Sequence, residues 1–337
     1  MAGEFDLIAR YFDWPVPDGV LGVGDDCALL PVRAGYRLAV TTDLLIEGVH
    51  FLSDVDPQAL GHKALAVNVS DLAAMGARPL GCLLGISLPC VDVQWLKGFS
   101  SGFRQLATRT GCPLVGGDTT SSRGGIAISV TAMGEVPLEG ALTRAGARAG
   151  DDIWITGTLG GAHVALQLLQ ASRSDGVGGH VVSIDTGRGR ERLERLRGSL
   201  ERPEPPVAFG ADLAGIAHAA IDISDGLLQD LGHILRASGC SAELHYGALP
   251  VHPALADLPD DEIQAALLTG GDVYQLCFTA PRESAATLEQ LAARHQVQLS
   301  RIGQVQAGNG VRVVGSPYPV DAHAPAGFDH FRGNDVG

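Results

Sequence analysis

Residues 58–75 read Gln-Ala-Leu-Gly-His-Lys-Ala-Leu-Ala-Val-Asn-Val-Ser-Asp-Leu-Ala-Ala-Met and are apolar on most faces of a predicted helix. Leu60, Ala64 and Val67 form a stripe at helical spacing that continues to Asp71. A helix of this kind is buried between other layers. A lone buried carboxylate is strongly destabilising unless it is paired. Asp71 is therefore predicted to face a metal ion, and a bond to a neighbouring helix N-terminus is the alternative.

Strand-like apolar runs alternate with helix-like stretches along the rest of the chain, which predicts an α/β protein built from α+β layers. The predicted strands are 38–42, 81–87, 126–134, 152–156, 220–223 and 274–279. The predicted helices are 58–75, 93–110, 162–170, 209–218 and 227–238, with a short arginine-rich helix near 190–197. Small residues and turn formers at 140–151 predict two domains, 1–147 and 148–337.

The composition indicates a globular protein and argues against two classes of partner. The chain has 337 residues, of which 45% are hydrophobic, and a formal net charge of −14. This charge argues against nucleic acid or an anionic membrane as the main partner. The longest apolar run, near 80–88, is too short to span a bilayer, and no signal-peptide pattern is found, so a cytoplasmic location is predicted. The six cysteines form no CxxC pair, which argues against zinc.

Five short segments place aspartates at predicted turns and strand ends. They are Gly24-Asp-Asp26, Thr41-Thr-Asp43, Ser70-Asp71, Gly116-Gly-Asp118 and Asp222-Ile-Ser-Asp225. Oxygen ligands from distant positions suit hard cations such as Mg²⁺. Two unit charges ~4 Å apart repel by about 4 kcal/mol at an effective dielectric of ~20, so a convergent cluster of these acids requires cations. The two lysines, Lys63 and Lys97, lie outside any GxxxxGK[ST] pattern, which excludes a P-loop. The sequence predicts a site that holds a polyphosphate through several Mg²⁺ ions.

Taken together, these segments resemble the thiamine-monophosphate kinase family, whose superfamily includes aminoimidazole ribonucleotide synthetase and selenophosphate synthetase. The resemblance runs from Gly3-Glu-Phe-Asp to Gly327-Phe-Asp-His-Phe331 and is strongest in Thr42-Asp-Leu-Leu-Ile-Glu-Gly-Val-His-Phe51 and in 63–77. It implies a two-domain, aminoimidazole ribonucleotide synthetase-like kinase fold with mixed sheets flanked by helices. It also implies homodimers formed through the sheet of the first domain. The implied activity is ATP-dependent phosphorylation of thiamine monophosphate to thiamine diphosphate, by direct in-line transfer without a catalytic side chain.

The resemblance also assigns roles to individual residues. The implied Mg²⁺ ligands are Asp26, Thr41, Thr42, Asp43, Asp71, Asp118, Asp222 and Asp225. The implied ATP contacts are Gly117, Asp118, Arg144 and Ser224, and the implied contacts with thiamine monophosphate are His50, Asp272 and Phe328. Considered without the resemblance, His50 is as well explained by a structural role, and Arg144 by an ion pair.

One segment departs from the family pattern. Where the family reads Gly-Gly-Glu-Asp-Tyr-Glu, this chain reads Gly270-Gly-Asp-Val-Tyr-Gln275. Asp272 thus stands in place of a substrate-contacting glutamate, and two further acids become Val273 and Gln275. Asp272 either makes the same contact after a small backbone shift or alters thiamine recognition. Two alternatives stay open: an ATP-dependent synthetase of the same superfamily, and a nucleotide- and metal-binding protein without turnover.

Overall fold

The computed structural model describes residues 4–24, 26–172 and 187–320. The chain divides into unit 1 (1–141 with 210–214) and unit 2 (142–209 with 215–337). Each unit contains a mixed β-sheet flanked by helices, which confirms the predicted fold class. The predicted domain bounds, 1–147 and 148–337, stay predictions.

Unit 1 is built on a four-stranded sheet. Its elements are α1 (Glu4–Tyr11), β1 (Tyr36–Ile46), α2 (Pro57–Ala74), β2 (Arg78–Leu88), α3 (Val93–Thr110), β3 (Leu114–Ser121) and β4 (Ala127–Pro137). The strand order is β1-β4-β2-β3, so β1 and β3 form the edges. β4 is antiparallel to β1 and β2, whereas β2 and β3 are parallel.

α2 is buried along almost its whole length, as the apolar stretch in the sequence predicts. It packs against α3 through glycines. A Cβ atom on Gly61 would lie 2.0 Å from the carbonyl oxygen of Phe99, and one on Gly102 would lie 1.8 Å from that of Gln58. The two helices are therefore too close for any side chain at these positions, and this contact fixes where α2 lies.

Unit 2 contains a six-stranded sheet in the order β10-β7-β9-β5-β8-β6, in which only the pair β10 and β7 is parallel among the described strands. Its strands are β5 (Asp152–Thr156), β6 (Ala219–Asp222), β7 (Cys240–His245), β8 (Leu276–Ala280), β9 (Leu299–Ala307) and β10 (Gly310–Val314). Its helices are α4 (Gly161–Ala171), α5 (Gly187–Glu201), α7 (Leu227–Ser238), α8 (Asp260–Thr269) and α9 (Ala285–His295), while α6 (Val207–Asp212) has residues in both units. None of the described helices combines the length and apolar character that crossing a bilayer requires.

Two predicted element bounds are wrong. The helix predicted at 209–218 stops before Gly215, whose φ of 81° lies outside the right-handed helical region. The strand predicted at 274–279 begins only at Leu276, because Tyr274 has a φ of 52° and cannot be part of a strand.

Replacing Gly102 with alanine is expected to destabilise the protein by about 1–3 kcal/mol, because the new methyl group overlaps the Gln58 carbonyl oxygen. Gly198 in α5 is the matched control, since a Cβ atom there meets nothing within 4 Å and alanine is the better helix former by ~1 kcal/mol. Urea unfolding followed by circular dichroism should give a lower midpoint for Gly102→Ala and an equal or higher one for Gly198→Ala. A wild-type midpoint for Gly102→Ala would contradict close packing of α2 on α3.

Candidate active site

The side chains of Asp43 and Asp71 lie close together where β1 meets α2. Oγ1 of Thr41 donates a hydrogen bond of 2.5 Å to Oδ2 of Asp71. The backbone N–H of Asp43 donates a hydrogen bond of 3.1 Å to Oδ1 of Asn68. These bonds join β1 to the last turns of α2, so the predicted ligands Thr41, Asp43 and Asp71 come together in the folded unit.

The ionised form of Asp43 is disfavoured in the absence of a cation. Burial, and second the negative charge of Asp71, raise the pKa of Asp43 from 3.8 to about 6. A cation beside the two carboxylates would reverse this effect. Their oxygens and the Thr41 hydroxyl are of the kind that Mg²⁺ prefers, so the donor set fits this ion.

The fit requires ligands from outside the protein as well. Across the described part of the chain, no group of three or more histidine, cysteine, aspartate or glutamate side chains could hold a metal ion by itself. Mg²⁺ in proteins usually keeps several waters and binds through one or two carboxylates together with substrate phosphates. A carboxylate pair such as Asp43 and Asp71 matches that habit.

The Thr42 side chain points to the other side of the sheet, because successive residues of a strand alternate between its faces. Its Oγ1 donates a hydrogen bond to the carbonyl oxygen of Val130 at 3.1 Å and accepts one from Oγ1 of Thr131 at 3.0 Å. The Thr42 hydroxyl is therefore not brought to Asp43 and Asp71. Its role as a ligand stays a prediction.

A cavity of about 1050 Å³ in unit 1 brings together three other predicted residues, Asp26, Gly117 and Asp118. Both aspartates are exposed. Gly117 has a φ of 153°, and a Cβ atom there would lie 1.9 Å from the carbonyl oxygen of Leu84. Only glycine fits this position, and its bare backbone lets a phosphate approach closely.

His50 follows β1, and its ring is bonded to the end of that strand. Nδ1 of His50 accepts a hydrogen bond of 3.0 Å from the N–H of Ile46. In the neutral ring this places the proton on Nε2. The predicted contact with the substrate is compatible with this arrangement. Phe328, the other predicted aromatic contact, lies outside the described residues.

In unit 2 the predicted acid Asp222 precedes a short turn, the β6–α7 turn (residues 223–226), and the predicted acid Asp225 lies within it. Asp222 ends β6 and is buried, whereas Asp225 is half-buried. Nε2 of Gln229, in the first turn of α7, donates a hydrogen bond of 3.1 Å to Oδ2 of Asp225. The strand end and the helix start thus hold both acids near one another in the sequence and in the fold.

Asp230 is not among the residues that the motifs single out, yet it contacts the whole β6–α7 turn. Its Oδ2 accepts hydrogen bonds from the N–H groups of Ser224, Asp225 and Gly226 at 3.1, 3.0 and 3.0 Å. Burial raises the pKa of Asp230 to about 7; the N–H bonds oppose this shift, and the charge of Asp225 adds to it. The available signal in the sequence is an acid one turn into a helix that follows a glycine-containing turn.

The segment 270–275, which differs from the family pattern, donates hydrogen bonds to carbonyl groups of the same turn. The N–H of Asp272 donates to the oxygen of Ser224 at 2.8 Å, and the N–H of Tyr274 donates to that of Ile223 at 2.7 Å. Asp272 and Tyr274 have φ values of 59° and 52°, and the Tyr274 hydroxyl donates a hydrogen bond of 3.1 Å to Oδ1 of Asp272. Left-handed backbone at such residues persists only where the surroundings hold it, and it concentrates at functional sites.

Gln275 has a structural role that explains its amide. Its Oε1 accepts a hydrogen bond from Oγ1 of Thr156 at 2.8 Å, and its Nε2 donates one to the carbonyl oxygen of Glu204 at 2.9 Å. An ionised glutamate could accept the first bond but could not donate the second. The departure at Gln275 is therefore accommodated within unit 2.

Arg144 is exposed and lies within electrostatic reach of the β6–α7 turn. Burial lowers the pKa of His233, the positive charges of Arg236 and Arg144 lower it further, and the charge of Asp225 raises it. Arg144 and Asp225 thus act on the same ring. A guanidinium such as that of Arg144 can bind an anion through paired N–H groups.

Two domain families match the chain. Residues 24–136 match the AIR synthase related protein, N-terminal domain, and residues 148–316 match the AIR synthase related protein, C-terminal domain. The thiamine-monophosphate kinase of Haemophilus influenzae is 40% identical over 337 residues, which cover 98% of this chain and 98% of that protein. The thiamine-monophosphate kinase of Salmonella typhimurium is 42% identical over 334 residues, with the same coverage of 98% for each.

Solved structures resemble the chain over similar lengths. A crystal structure of thiamine-monophosphate kinase from Stenotrophomonas maltophilia is 43% identical, covers 93% of this chain and 95% of that chain, and superposes with a TM-score of 0.80. A structure of AaThiL complexed with AMPPCP and TMP is 32% identical, covers 90% of each chain, and has a TM-score of 0.74.

Replacing Asp43 with asparagine is expected to stabilise the metal-free protein at neutral pH. The pKa of Asp43 is about 6 in the folded protein and 3.8 as the ordinary value, so the stability that its proton contributes at low pH is lost as the pH rises through about 6. Asparagine does not ionise, so the variant avoids this loss of stability, which we expect to be about 1–3 kcal/mol. In EDTA, Asp43→Asn should melt above the wild type at pH 7.5, and the difference should shrink towards pH 4. The same difference at both pH values would contradict this account.

Proposed function

This chain belongs to the thiamine-monophosphate kinase family, and we propose that it transfers the terminal phosphoryl group of ATP to thiamine monophosphate in one in-line step assisted by Mg²⁺. The products are ADP and thiamine diphosphate. The observation that carries the mechanism is the pair Asp43 and Asp71, whose mutual repulsion a divalent cation would relieve.

The proposed Mg²⁺ ligands are oxygen-bearing side chains: Asp26, Thr41, Thr42, Asp43, Asp71, Asp118, Asp222 and Asp225. Support comes from the contacts among Thr41, Asp43 and Asp71 and from the donor types, which suit a hard cation. Bound Mg²⁺ would offset the negative charge of the phosphates. The protein supplies anionic oxygens that hold the cations in place.

ATP contacts Gly117, Asp118, Arg144 and Ser224. Gly117 supports this assignment because its backbone lines the unit 1 cavity without a side chain. The charges of Arg144 and Asp225 act on the same ring, that of His233, and a guanidinium can bind a phosphate through paired N–H groups. Ser224 presents its hydroxyl from a turn whose backbone is bonded on both sides.

Thiamine monophosphate contacts His50, Asp272 and Phe328. His50 supports this assignment because its ring is anchored to the end of β1 by the bond from Ile46 to Nδ1. Asp272 is one methylene shorter than the glutamate it replaces, and its left-handed backbone and the bond from Tyr274 set the direction of its carboxylate. These three contacts hold thiamine monophosphate, although Asp272 replaces the glutamate of the family pattern.

The reaction needs no protein nucleophile. An oxygen of the acceptor phosphate attacks the γ-phosphorus of ATP, the bond to the β,γ-bridging oxygen breaks, and its electron pair leaves with ADP. Phosphate oxygens are already largely anionic at neutral pH, so no strong base is needed to activate the acceptor. Positioning and charge neutralisation dominate such transfers, which matches a site made of ligands rather than general bases.

The protein acts as a cytoplasmic homodimer formed through the outer face of the unit 1 sheet. Leu38, Val40 and Leu44 lie on that face of the edge strand β1 and are 48%, 58% and 56% exposed. Several large apolar side chains exposed on one face of a strand are typical of an interaction surface. The cysteines are free thiols, as is usual in the reducing cytoplasm.

Product analysis tests the proposed reaction. With Mg²⁺, ATP and thiamine monophosphate, chromatography should show ADP and thiamine diphosphate in equal amounts, and EDTA should abolish both. Asp71→Asn should lower kcat/KM by about 100-fold or more, because a ligand to charge-neutralising cations is lost. Asp13→Asn, an exposed acid of unit 1 outside the site, is the matched control and should behave as the wild type. ADP with free phosphate, or AMP, would indicate a synthetase, and ATP binding without turnover would indicate a binding protein.

The dimer is tested by light scattering coupled to gel filtration. The wild type should have twice the mass of one chain, and the double variant Val40→Lys/Leu44→Lys should be monomeric, because charged groups would be desolvated at the interface. Val91→Lys is the matched control, since Val91 is 54% exposed and lies outside the sheet. A monomeric wild type, or a dimeric double variant, would contradict this interface.

A further inference from the structure

The backbone of the β6–α7 turn is bonded on two sides. On one side, its carbonyl groups accept bonds from the N–H groups of Asp272 and Tyr274 at 2.8 and 2.7 Å. On the other side, three consecutive N–H groups, those of residues 224–226, converge on the single atom Oδ2 of Asp230. The turn therefore has little freedom to change the direction of its own side chains.

Consecutive N–H groups at the start of a helix ordinarily form a cradle for a phosphate or another anion. Here an internal anion fills that cradle. The Asp230 side chain comes from the first turn of α7 and is buried, with 2% of the residue exposed. These N–H groups are consequently committed to the protein, and the turn offers a bound nucleotide the side chains of Ser224 and Asp225 instead.

The contact differs from ordinary helix capping. A capping side chain usually precedes the helix and accepts N–H groups of the first helical turn. Asp230 lies inside α7, which begins at Leu227, and accepts N–H groups that precede the helix. Its carboxylate therefore holds the backbone of the turn, at the residue from which the Asp225 side chain extends.

We propose that Asp230 is a positioning residue for the kinase reaction. Its carboxylate fixes the β6–α7 turn so that the Asp225 carboxylate and the Ser224 hydroxyl are directed towards the nucleotide and its cations. This inference rests on the proposed function. It assigns Asp230 no contact with substrate, and it predicts that loss of the carboxylate weakens cation and nucleotide binding while the fold remains.

The test compares Asp230→Ala, Asp230→Asn and the wild type at pH 8. Binding of Mn²⁺ in the presence of a non-hydrolysable ATP analogue is followed by electron paramagnetic resonance, and kcat and KM for ATP are measured with Mg²⁺. Asp230→Ala should weaken Mn²⁺ binding at least tenfold and raise KM for ATP more than it lowers kcat. Asp230→Asn should weaken Mn²⁺ binding about fivefold, because its neutral oxygen still accepts N–H bonds but less strongly. Asp261→Asn, an exposed acid in the first turn of α8, is the matched control and should have no effect.

Mn²⁺ binding and KM for ATP within twofold of the wild type, in a folded Asp230→Ala, would overturn the proposal. If that variant does not fold, the same criterion applied to Asp230→Asn decides. Hydrogen exchange of the peptide that contains 224–226 separates this proposal from the proposed function. Faster exchange confined to that peptide supports the positioning role even if the wild type makes no thiamine diphosphate, and unchanged exchange in both variants overturns it.

Discussion

The candidate site in unit 1 depends on two carboxylates, those of Asp43 and Asp71. They are held close enough for the charge of Asp71 to raise the pKa of Asp43. Asp71 cannot move away from Asp43, because α2 is packed on α3 at a distance set by Gly61 and Gly102. The Thr41 hydroxyl then joins β1 to the Asp71 carboxylate. Helix packing thus holds two carboxylates of like charge near each other. Their repulsion contributes to the raised pKa of Asp43, and a divalent cation would relieve it. An arrangement that is unfavourable without a cation would favour the binding of one.

In unit 2, hydrogen bonds to the backbone hold the segment that carries the predicted acids. The β6–α7 turn carries Asp225, and the carboxylate of Asp230 accepts hydrogen bonds from N–H groups of the turn. A helix start that would otherwise attract phosphate is neutralised from within, so the acids presented there favour cations. The strained segment with Asp272 and Tyr274 is bonded to the same turn. Residues assigned to the substrate and residues assigned to the cations therefore share one supported piece of backbone.

Much of the fold could be predicted from the pattern of residues, because burial imposes it. The apolar faces of 58–75 predict the buried α2, and 93–110 and 227–238 match α3 and α7. The helix predicted at 209–218 is wrong in its second half, since periodicity does not reveal the positive φ of Gly215. The motifs predict that Asp43 and Asp71 belong to one candidate site, because a buried carboxylate such as that of Asp71 is strongly destabilising unless it is paired, for example with a metal ion.

Other features depend on contacts between distant segments and could not be predicted. The sequence Thr41-Thr-Asp43 does not tell which hydroxyl faces α2, because that depends on the register of β1 on β4. Gln275 looks like a loss of function in the motif, yet its amide joins Thr156 to Glu204. Asp230 resembles an ordinary acid in a first helical turn until its three bonds are seen.

The central claim is that acids on this chain hold cations directly on the phosphates of ATP. It is tested most directly with ATP analogues in which sulfur replaces one non-bridging oxygen of the β-phosphate, compared with Mg²⁺ and with Cd²⁺. Mg²⁺ prefers oxygen and the softer Cd²⁺ accepts sulfur. The account predicts that thiamine diphosphate forms slowly from one diastereomer with Mg²⁺, and that Cd²⁺ restores or reverses the preference. The same preference with both metals would contradict it.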